Sequence, residues 1–369
     1  MSGALGGDHP PVFWHKVGWG EGSRATLIPK VRATGEQRGA RRKAKGPRSH
    51  ANGAGLALYA PRRPYTSLMA ADLREVAHAE RAGGRDYDAL AMRVEGADLH
   101  GGALRIIGEQ PGGHRTYPMY MASLPARSGK APKASVLLNG GTHGDEPAGA
   151  EAVVAFLEAD IAGQWPEFAF TVMPCTNPWG HAHARREGPA GRDLNRAFRR
   201  ASPRTPEVSI IKRALAGRAF NLYVDCHEDI DAPGLYVFAP TRLGNAIVSA
   251  VAATGPIHQG DLVDGEIPLN GGVVATDSDR SRERRTGWLT WPLPYYIARY
   301  RQAHDGPTLS DEGDPRALSG ATIETPTFLP MHQRVAMHHA AIDAALRLLR
   351  EQPPRDGRSE EHTSELQSH

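Results

Sequence analysis

A chain of 369 residues can bury one large core or two medium ones, and its 40% hydrophobic and 23% charged residues are those of a globular protein in water. No stretch approaches the roughly 18 consecutive apolar residues of a membrane-spanning helix, and two cysteines, Cys175 and Cys226, are too few for a disulfide framework. The net charge of +3 is unevenly spread: residues 1–66 hold 12 Lys/Arg against three Asp/Glu, so the remainder of the chain is acidic.

The first residues, MSGALGGDHPPVFWHKVGWG, lack the apolar core of a secretory signal, and a cytoplasmic location is expected. Residues 1–68 form a basic segment rich in Gly, Arg and Pro, with no sustained period of 2 or 3.6. Within it RGARRKAKGPR, Arg38 to Arg48, has the composition of a nucleic-acid patch or a localisation signal. A disordered basic tail, or translation from a start upstream of one at Met69, accounts for it better, and nucleic acid is not expected as a partner. Residues 69–352 are read as the main folded domain and 353–369 as a tail. Its end, RSEEHTSELQSH (358–369), resembles the translation of a common sequencing-library adapter and is set apart from the fold as an artefact.

From about residue 85, strand and helix signals alternate. ALRIIGEQ and TYPMYMASLP, joined across PGGH, predict a hairpin. ASVLLNGG is a continuous apolar run, as in a sheet strand covered on both faces. The helix after it aligns Ala150, Val153, Val154, Leu157 and Ile161 on one stripe and is expected to stop at Gly163. FAFTVMPCTN predicts a strand, EVSIIKRALAG a helix entered through Pro206, and FNLYVDCH a further buried strand. A long Gly- and Arg-rich middle leads to a short strand, ATIETPT. A last helix, QRVAMHHAAIDAALRLLREQ, turns Val335, Ile342, Leu346 and Leu349 inward. This alternation predicts a single α/β domain with a mixed, largely parallel β-sheet.

Three predicted strands end in polar clusters: His143 with Asp145 and Glu146, Cys175-Thr-Asn177, and Asp225-Cys-His227. Ligands of open α/β sheets sit at the carboxyl ends of strands, where all three fall. His143 and Glu146, two residues apart at a strand-to-helix turn, can reach one point, with Pro147 placed to begin the helix. An imidazole and a carboxylate are two-thirds of a His₂Glu catalytic zinc site, which keeps a position for water. His227, delivered by a buried run, is the best third ligand. Asp225, two residues earlier and on the same strand face, can support it.

The chain resembles the zinc carboxypeptidase superfamily, which includes carboxypeptidase A-like peptidases and the succinylglutamate desuccinylase/aspartoacylase group. Four motifs carry the resemblance over roughly residues 85–350: HGDE (143–146), NPWG (177–180), GRDLNRAF (191–198) with DCHE (225–228), and TIETP (322–326). The resemblance implies a mixed sheet with helices on both faces and one Zn²⁺ held by His143, Glu146 and His227. It further implies that Asp193 fixes a ligand histidine, that Asn195 and Arg196 grip a substrate carboxylate, and that Glu324 is general base and acid. The chemistry agrees with the last assignment: zinc acidifies its water, and a carboxylate in an apolar setting can take the proton and pass it to the leaving amine.

The family also places an arginine near the oxyanion, for which HARREGPAGRDLNR offers Arg186 first, then Arg185, with Arg192 as a third. Tyr295, Tyr296 and Tyr300 are candidates for a substrate-side tyrosine that spacing does not separate. The H-x-H of His181 and His183 is a weaker metal candidate, His338 and His339 read as a solvated helix face, and Glu228 should point away from His227. The expected reaction is zinc-dependent hydrolysis of an amide beside a free carboxylate. The substrate is then a peptide, as for a metallocarboxypeptidase, or an N-acyl amino acid, as for a desuccinylase/aspartoacylase-type amidohydrolase. HGDEPAG and DLNRAF look closer to the second group and to bacterial peptide-trimming members. Arg280, Arg282, Arg284 and Arg285 read as a solvated loop before an acidic-substrate pocket. A catalytically inactive zinc-binding module is the remaining alternative, which Glu324, Asn195 and Arg196 argue against.

Overall fold

The computed structural model describes residues 85–198, 204–276, 293 and 320–352. The basic segment 1–68, the tail 353–369, the arginines at 280, 282, 284 and 285, and the tyrosines at 295, 296 and 300 lie outside them. None of the described helices is long and apolar enough to cross a membrane.

The apolar runs become one eight-stranded sheet: β1 (Ala103–Pro111), β2 (Thr116–Leu124), β3 (Ala134–Gly140), β4 (Phe168–Met173), β5 (Leu222–Asp229), β6 (Tyr236–Ala239), β9 (Val273–Ala275) and β10 (Ala321–Pro326), in the order β1-β2-β4-β3-β5-β10-β6-β9. The short β7 (Leu262–Val263) and β8 (Ile267–Pro268) form a separate two-stranded ribbon. The central strands β4, β3, β5 and β10 run parallel, and antiparallel pairs join β2 to β4 and β10 to β6. The mixed, largely parallel sheet is the one expected. The hairpin of β1 and β2 also forms, with a bulge between Ile106 and Gly108.

Helices cover both faces. On one, Val136, Leu138, Val224, Cys226 and Ile323 pack under α2 (Pro147–Glu158), α5 (Thr241–Val251) and α6 (Met331–Glu351). On the other, Leu137, Met173 and Tyr223 pack with α4 (Pro206–Leu215) and with Leu194 and Phe198. Each fully buried large apolar side chain contributes on the order of 1.5–3 kcal/mol. The shorter α1 (Tyr87–Gly96) and α3 (Pro178–His183) meet beside β2. α2 is buried on every side, because its alanines Ala148, Ala152 and Ala155 let Met331 and Val335 of α6 close over it.

Two expectations are corrected. The helix after β3 stops at Glu158 and not at Gly163: Asp160 turns left-handed (φ 46°), and Ile161 falls in a 3₁₀ turn, Ile161–Gln164. His338 and His339 are not a solvated face. His338 is fully buried beneath β10, bonded to Thr325, and His339 meets the Ala152 carbonyl oxygen at 2.7 Å. The remaining positions named on the last helix, Val335, Ile342, Leu346 and Leu349, are buried.

Candidate metal centre and active site

Alternation along β5 decides which residues share a face. Val224 and Cys226 point to the α2/α6 side, so Tyr223, Asp225 and His227 point to the α4 side. β10 lies beside β5 in parallel register, with Glu324 opposite His227, which puts both on one face. β6 continues the row on the other side, with Tyr236 opposite Glu324.

His143 and Glu146 reach the same place from the turn after β3. Glu146 is the last residue before α2, and Pro147 supplies the preset φ of the first helical position without losing a needed N–H. Two glycines allow the close fit. A Cβ on Gly144 would lie 1.9 Å from the Gly180 carbonyl carbon of α3, and one on Gly149 would lie 2.1 Å from the Cys226 carbonyl oxygen. α2 therefore rests directly on β5, and α3 on the turn itself. Arg85 donates to the carbonyl oxygens of Gly144 and Asp145 from outside.

His143, Glu146 and His227 form a buried cluster whose ligand atoms lie within 4.8 Å of one another. His143 Nδ1 is 2.6 Å from Glu146 Oε1, His227 Nδ1 is 2.7 Å from Glu146 Oε2, and the two Nδ1 atoms are 3.2 Å apart. The Nε2 atoms point the other way, each toward an acid: His143 to Asp193 Oδ1 at 3.3 Å, His227 to Asp225 Oδ2 at 2.9 Å. Asp225 is itself held by Asn139, whose Nδ2 donates to Oδ1 at 2.6 Å. An imidazole that gives its Nε2 proton to a carboxylate presents its Nδ1 lone pair inward. Two such lone pairs and a carboxylate facing one point fit a small cation well.

The electrostatics agree. Burial alone would raise Glu146, but the His143 and His227 imidazoles hold its carboxyl well below the usual range. Burial alone would lower His227, yet the Asp225 and Glu146 carboxylates carry it well above the usual imidazole range. The cluster thus calls for positive charge at its centre, and two imidazoles with one carboxylate are the donors of a catalytic zinc site. Desolvation, reinforced by Glu146, Asp229 and Asp225, pushes Glu324 far above the ordinary carboxyl range, although its residue retains some exposure.

Of the candidate arginines, Arg186 reaches the cluster. Its Nη1 donates to Glu146 Oε1 at 3.1 Å and its Nε to Asp193 Oδ2 at 3.3 Å. Arg185, Arg192 and Arg196 are exposed, and Arg196 turns its Nη1 to the Asn195 carbonyl oxygen at 3.2 Å. Asn195 is buried, and its Oδ1 accepts from the Leu293 N–H at 3.0 Å, so the donor end of its amide is the NH₂ group. The NPWG motif is a capped helix start: Asn177 Oδ1 accepts from Gly180 N–H at 3.0 Å, and its Nδ2 donates to the Arg186 carbonyl oxygen at 3.2 Å. His181 and His183 do not share a site, since the first is buried and the second is exposed and stacked on Trp179. Glu228 points away from His227, as its position on the strand requires.

Three residues at the site were not singled out from the sequence. Asn139 supports Asp225. Tyr236 flanks Glu324 and donates to Asp229 Oδ2 at 2.8 Å. Gln110, fully buried in β1, bridges Asn177 Oδ1 at 2.9 Å and Glu207 Oε1 at 2.8 Å. Asn139 carried a signal, an amide inside an apolar run. The other two depend on strand pairing.

Residues 132–242 match the family model of the succinylglutamate desuccinylase/aspartoacylase catalytic domain. No curated protein matches the chain. Among solved structures it is similar to a candidate metallopeptidase from Shewanella amazonensis SB2B (22% identity, TM-score 0.52, over 71% of this chain and 92% of that one). It is also similar to another from Shewanella baltica OS155 (20% identity, TM-score 0.54, 71% and 91%) and to a candidate carboxypeptidase A from Shewanella denitrificans OS-217 (15% identity, TM-score 0.52, 72% and 69%). These matches agree with the resemblance carried by the four motifs: the described fold is shared with these metallopeptidase and carboxypeptidase structures, and residues 132–242 match the succinylglutamate desuccinylase/aspartoacylase catalytic domain.

Proposed function

We propose that this chain is a zinc-dependent hydrolase that cleaves an amide bond beside a free carboxylate. The observation that carries the reading is the convergence of His143 Nδ1, His227 Nδ1 and the Glu146 carboxylate at the ends of β3 and β5, with Glu324 in register beside His227. Zinc, once bound by these three residues, supplies a Lewis acid that acidifies water and polarises the amide carbonyl. Asp193 and Asp225 hold the two imidazoles in the tautomer that offers Nδ1. Glu324 takes the proton from the attacking water and delivers it to the leaving amine, a role for which its raised pKa suits it. Arg186, already at the cluster, stabilises the oxygen that gains charge as the carbonyl is attacked. The Asn195 NH₂ and the Arg196 guanidinium bind the substrate's carboxylate, with Arg185 as a further substrate-binding cation.

Two substrate classes meet this description: a peptide with a free C-terminus, as for a metallocarboxypeptidase, and an N-acyl amino acid. The match of residues 132–242 to the desuccinylase/aspartoacylase domain favours the second. Rates on a panel of C-terminally free peptides and N-acyl amino acids, compared with their carboxamide analogues, test the reading. Loss of turnover on amidating the substrate carboxylate is the expected result, and equal rates contradict it.

A further inference from the structure

Behind the site, on the α2/α6 face of the sheet, lies a buried polar layer that the reaction above does not use. The apolar sequence of that face, Val224, Cys226 and Ile323, is broken at the next positions by Glu228 on β5 and Thr325 on β10, which are register partners. Above them, α6 contributes Arg334 and His338, and all four residues are buried. The Glu228 carboxylate accepts from the Arg334 guanidinium through Oε1 and from the Ala148 N–H of α2 through Oε2 at 2.6 Å. Thr325 Oγ1 lies 3.2 Å from His338 Nε2 and 3.5 Å from the His227 carbonyl oxygen.

A buried ion pair gives a core less stability than apolar side chains of the same volume would. What this pair does is reach the metal cluster from behind. The main-chain N–H of Glu228 donates to Glu146 Oε2 at 3.1 Å, while its side chain holds Ala148, two residues beyond Glu146 at the start of α2. Glu228 is also the chain neighbour of His227. One residue therefore ties together the two elements that deliver Glu146 and His227, and Arg334 neutralises the charge this requires in the core.

We infer that the buried Glu228–Arg334 pair is a positioning device for the metal ligand Glu146, setting metal affinity and geometry, not fold stability. This rests on the metal-binding reading above, and the test separates the two. Zinc affinity of the full chain is measured by competition with a chromophoric chelator, and ligand geometry by the visible absorption of the cobalt-substituted protein. The variants are Glu228→Gln, Arg334→Met and the double variant Glu228→Leu with Arg334→Leu, with apo-protein unfolding followed in parallel. The double variant leaves no lone buried charge, so it keeps the question answerable if the single variants do not fold. The control is Arg93→Met, which breaks the pair with the buried Glu151 farther along α2 (2.7 Å) without touching the site.

The expected result is zinc binding weaker by about 10–100-fold with an altered cobalt spectrum in the double variant and in each single variant that folds. Apo stability of the double variant is expected to be unchanged or higher, and Arg93→Met should bind zinc like the unsubstituted protein. Zinc affinity and cobalt spectrum unchanged in the folded double variant overturn the inference alone. An equal loss of affinity in Arg93→Met also overturns it, because the effect would then follow stability. An unsubstituted chain that binds no zinc overturns the metal reading and this inference with it.

Discussion

His227 and Glu324 are direct register partners on the parallel strands β5 and β10, and the proposed metal ligand and the proposed base are therefore held one strand spacing apart. That spacing, about 4.8 Å, is fixed by backbone hydrogen bonds and not by loop conformation. Tyr236 closes the row from β6. A base placed this way needs no closing movement to stay beside the metal ligands.

Glu324→Gln is expected to lower kcat/KM by about 10²–10⁴ while zinc content stays at that of the unsubstituted chain. Burial and the nearby carboxylates hold the Glu324 carboxyl above its ordinary range, so its base form is reached only at correspondingly higher pH. Activity should therefore rise with pH along an acid limb lying above ordinary carboxylate values. Measured kcat/KM against pH, with metal analysis of the variant, checks both. A variant that loses its zinc as well would make Glu324 a ligand.

Asp193 and Asp225 each face the Nε2 of a proposed ligand histidine, so Asp193→Asn and Asp225→Asn should weaken zinc by about 10–100-fold. The larger effect is expected at Asp225, which is fully buried and nearer its histidine. Zinc competition titrations measure this, and unchanged affinity in both variants would detach the two acids from the site.

The arginines should separate kinetically. Arg186→Ala, the one at the cluster, is expected to lower kcat by about 10²–10³ with little change in KM. Arg196→Ala should raise KM for substrates with a free carboxylate with little change in kcat. Arg185→Ala, at an exposed position, should change kcat least. A kcat loss at Arg185 in place of Arg186 would reverse the assignment.

Three histidines outside the His143, Glu146 and His227 cluster, His181 and His338 buried and His339 half-buried, predict an acid limit to stability. Burial lowers His181 and His338 to about 3 and His339 to about 4, against an unfolded value near 6.5. Depressed folded values mean that the unfolded chain takes up protons first, so stability is full above pH 6.5 and is lost as pH falls toward 3. Each group contributes a slope of about 1.4 kcal/mol per pH unit inside that window. Denaturant unfolding at pH 7, 6 and 5 should show the fall, and His181→Phe should make it shallower. An identical slope in the variant would contradict the assignment.

Much of this was legible in the sequence, because buried parallel strands announce themselves as apolar runs and strand ends as polar clusters. LLNGGTHGDE and LYVDCH place all three proposed ligands, His143, Glu146 and His227, at the ends of β3 and β5 without any pairing information. The strands β6 and β9 and the helix α5 were lost in what read as a Gly-rich middle, since YVFA and VVA are too short for a period to show. With β6 went Tyr236, whose place beside Glu324 depends on an antiparallel pairing that no local pattern encodes. His338 and His339 look solvated in the sequence for a related reason. Histidine on a helix looks solvated until a partner such as Thr325, 13 residues earlier and in another element, is known.

The most direct test of the account is zinc content and amide hydrolysis of the full chain, with zinc supplied or removed by chelation, on the peptide and N-acyl amino acid panel. The account predicts one zinc per chain, turnover that disappears on chelation and returns with zinc, and no turnover by Glu324→Gln with zinc still bound. A chain that binds no metal, or that hydrolyses these amides equally well after chelation, would contradict it.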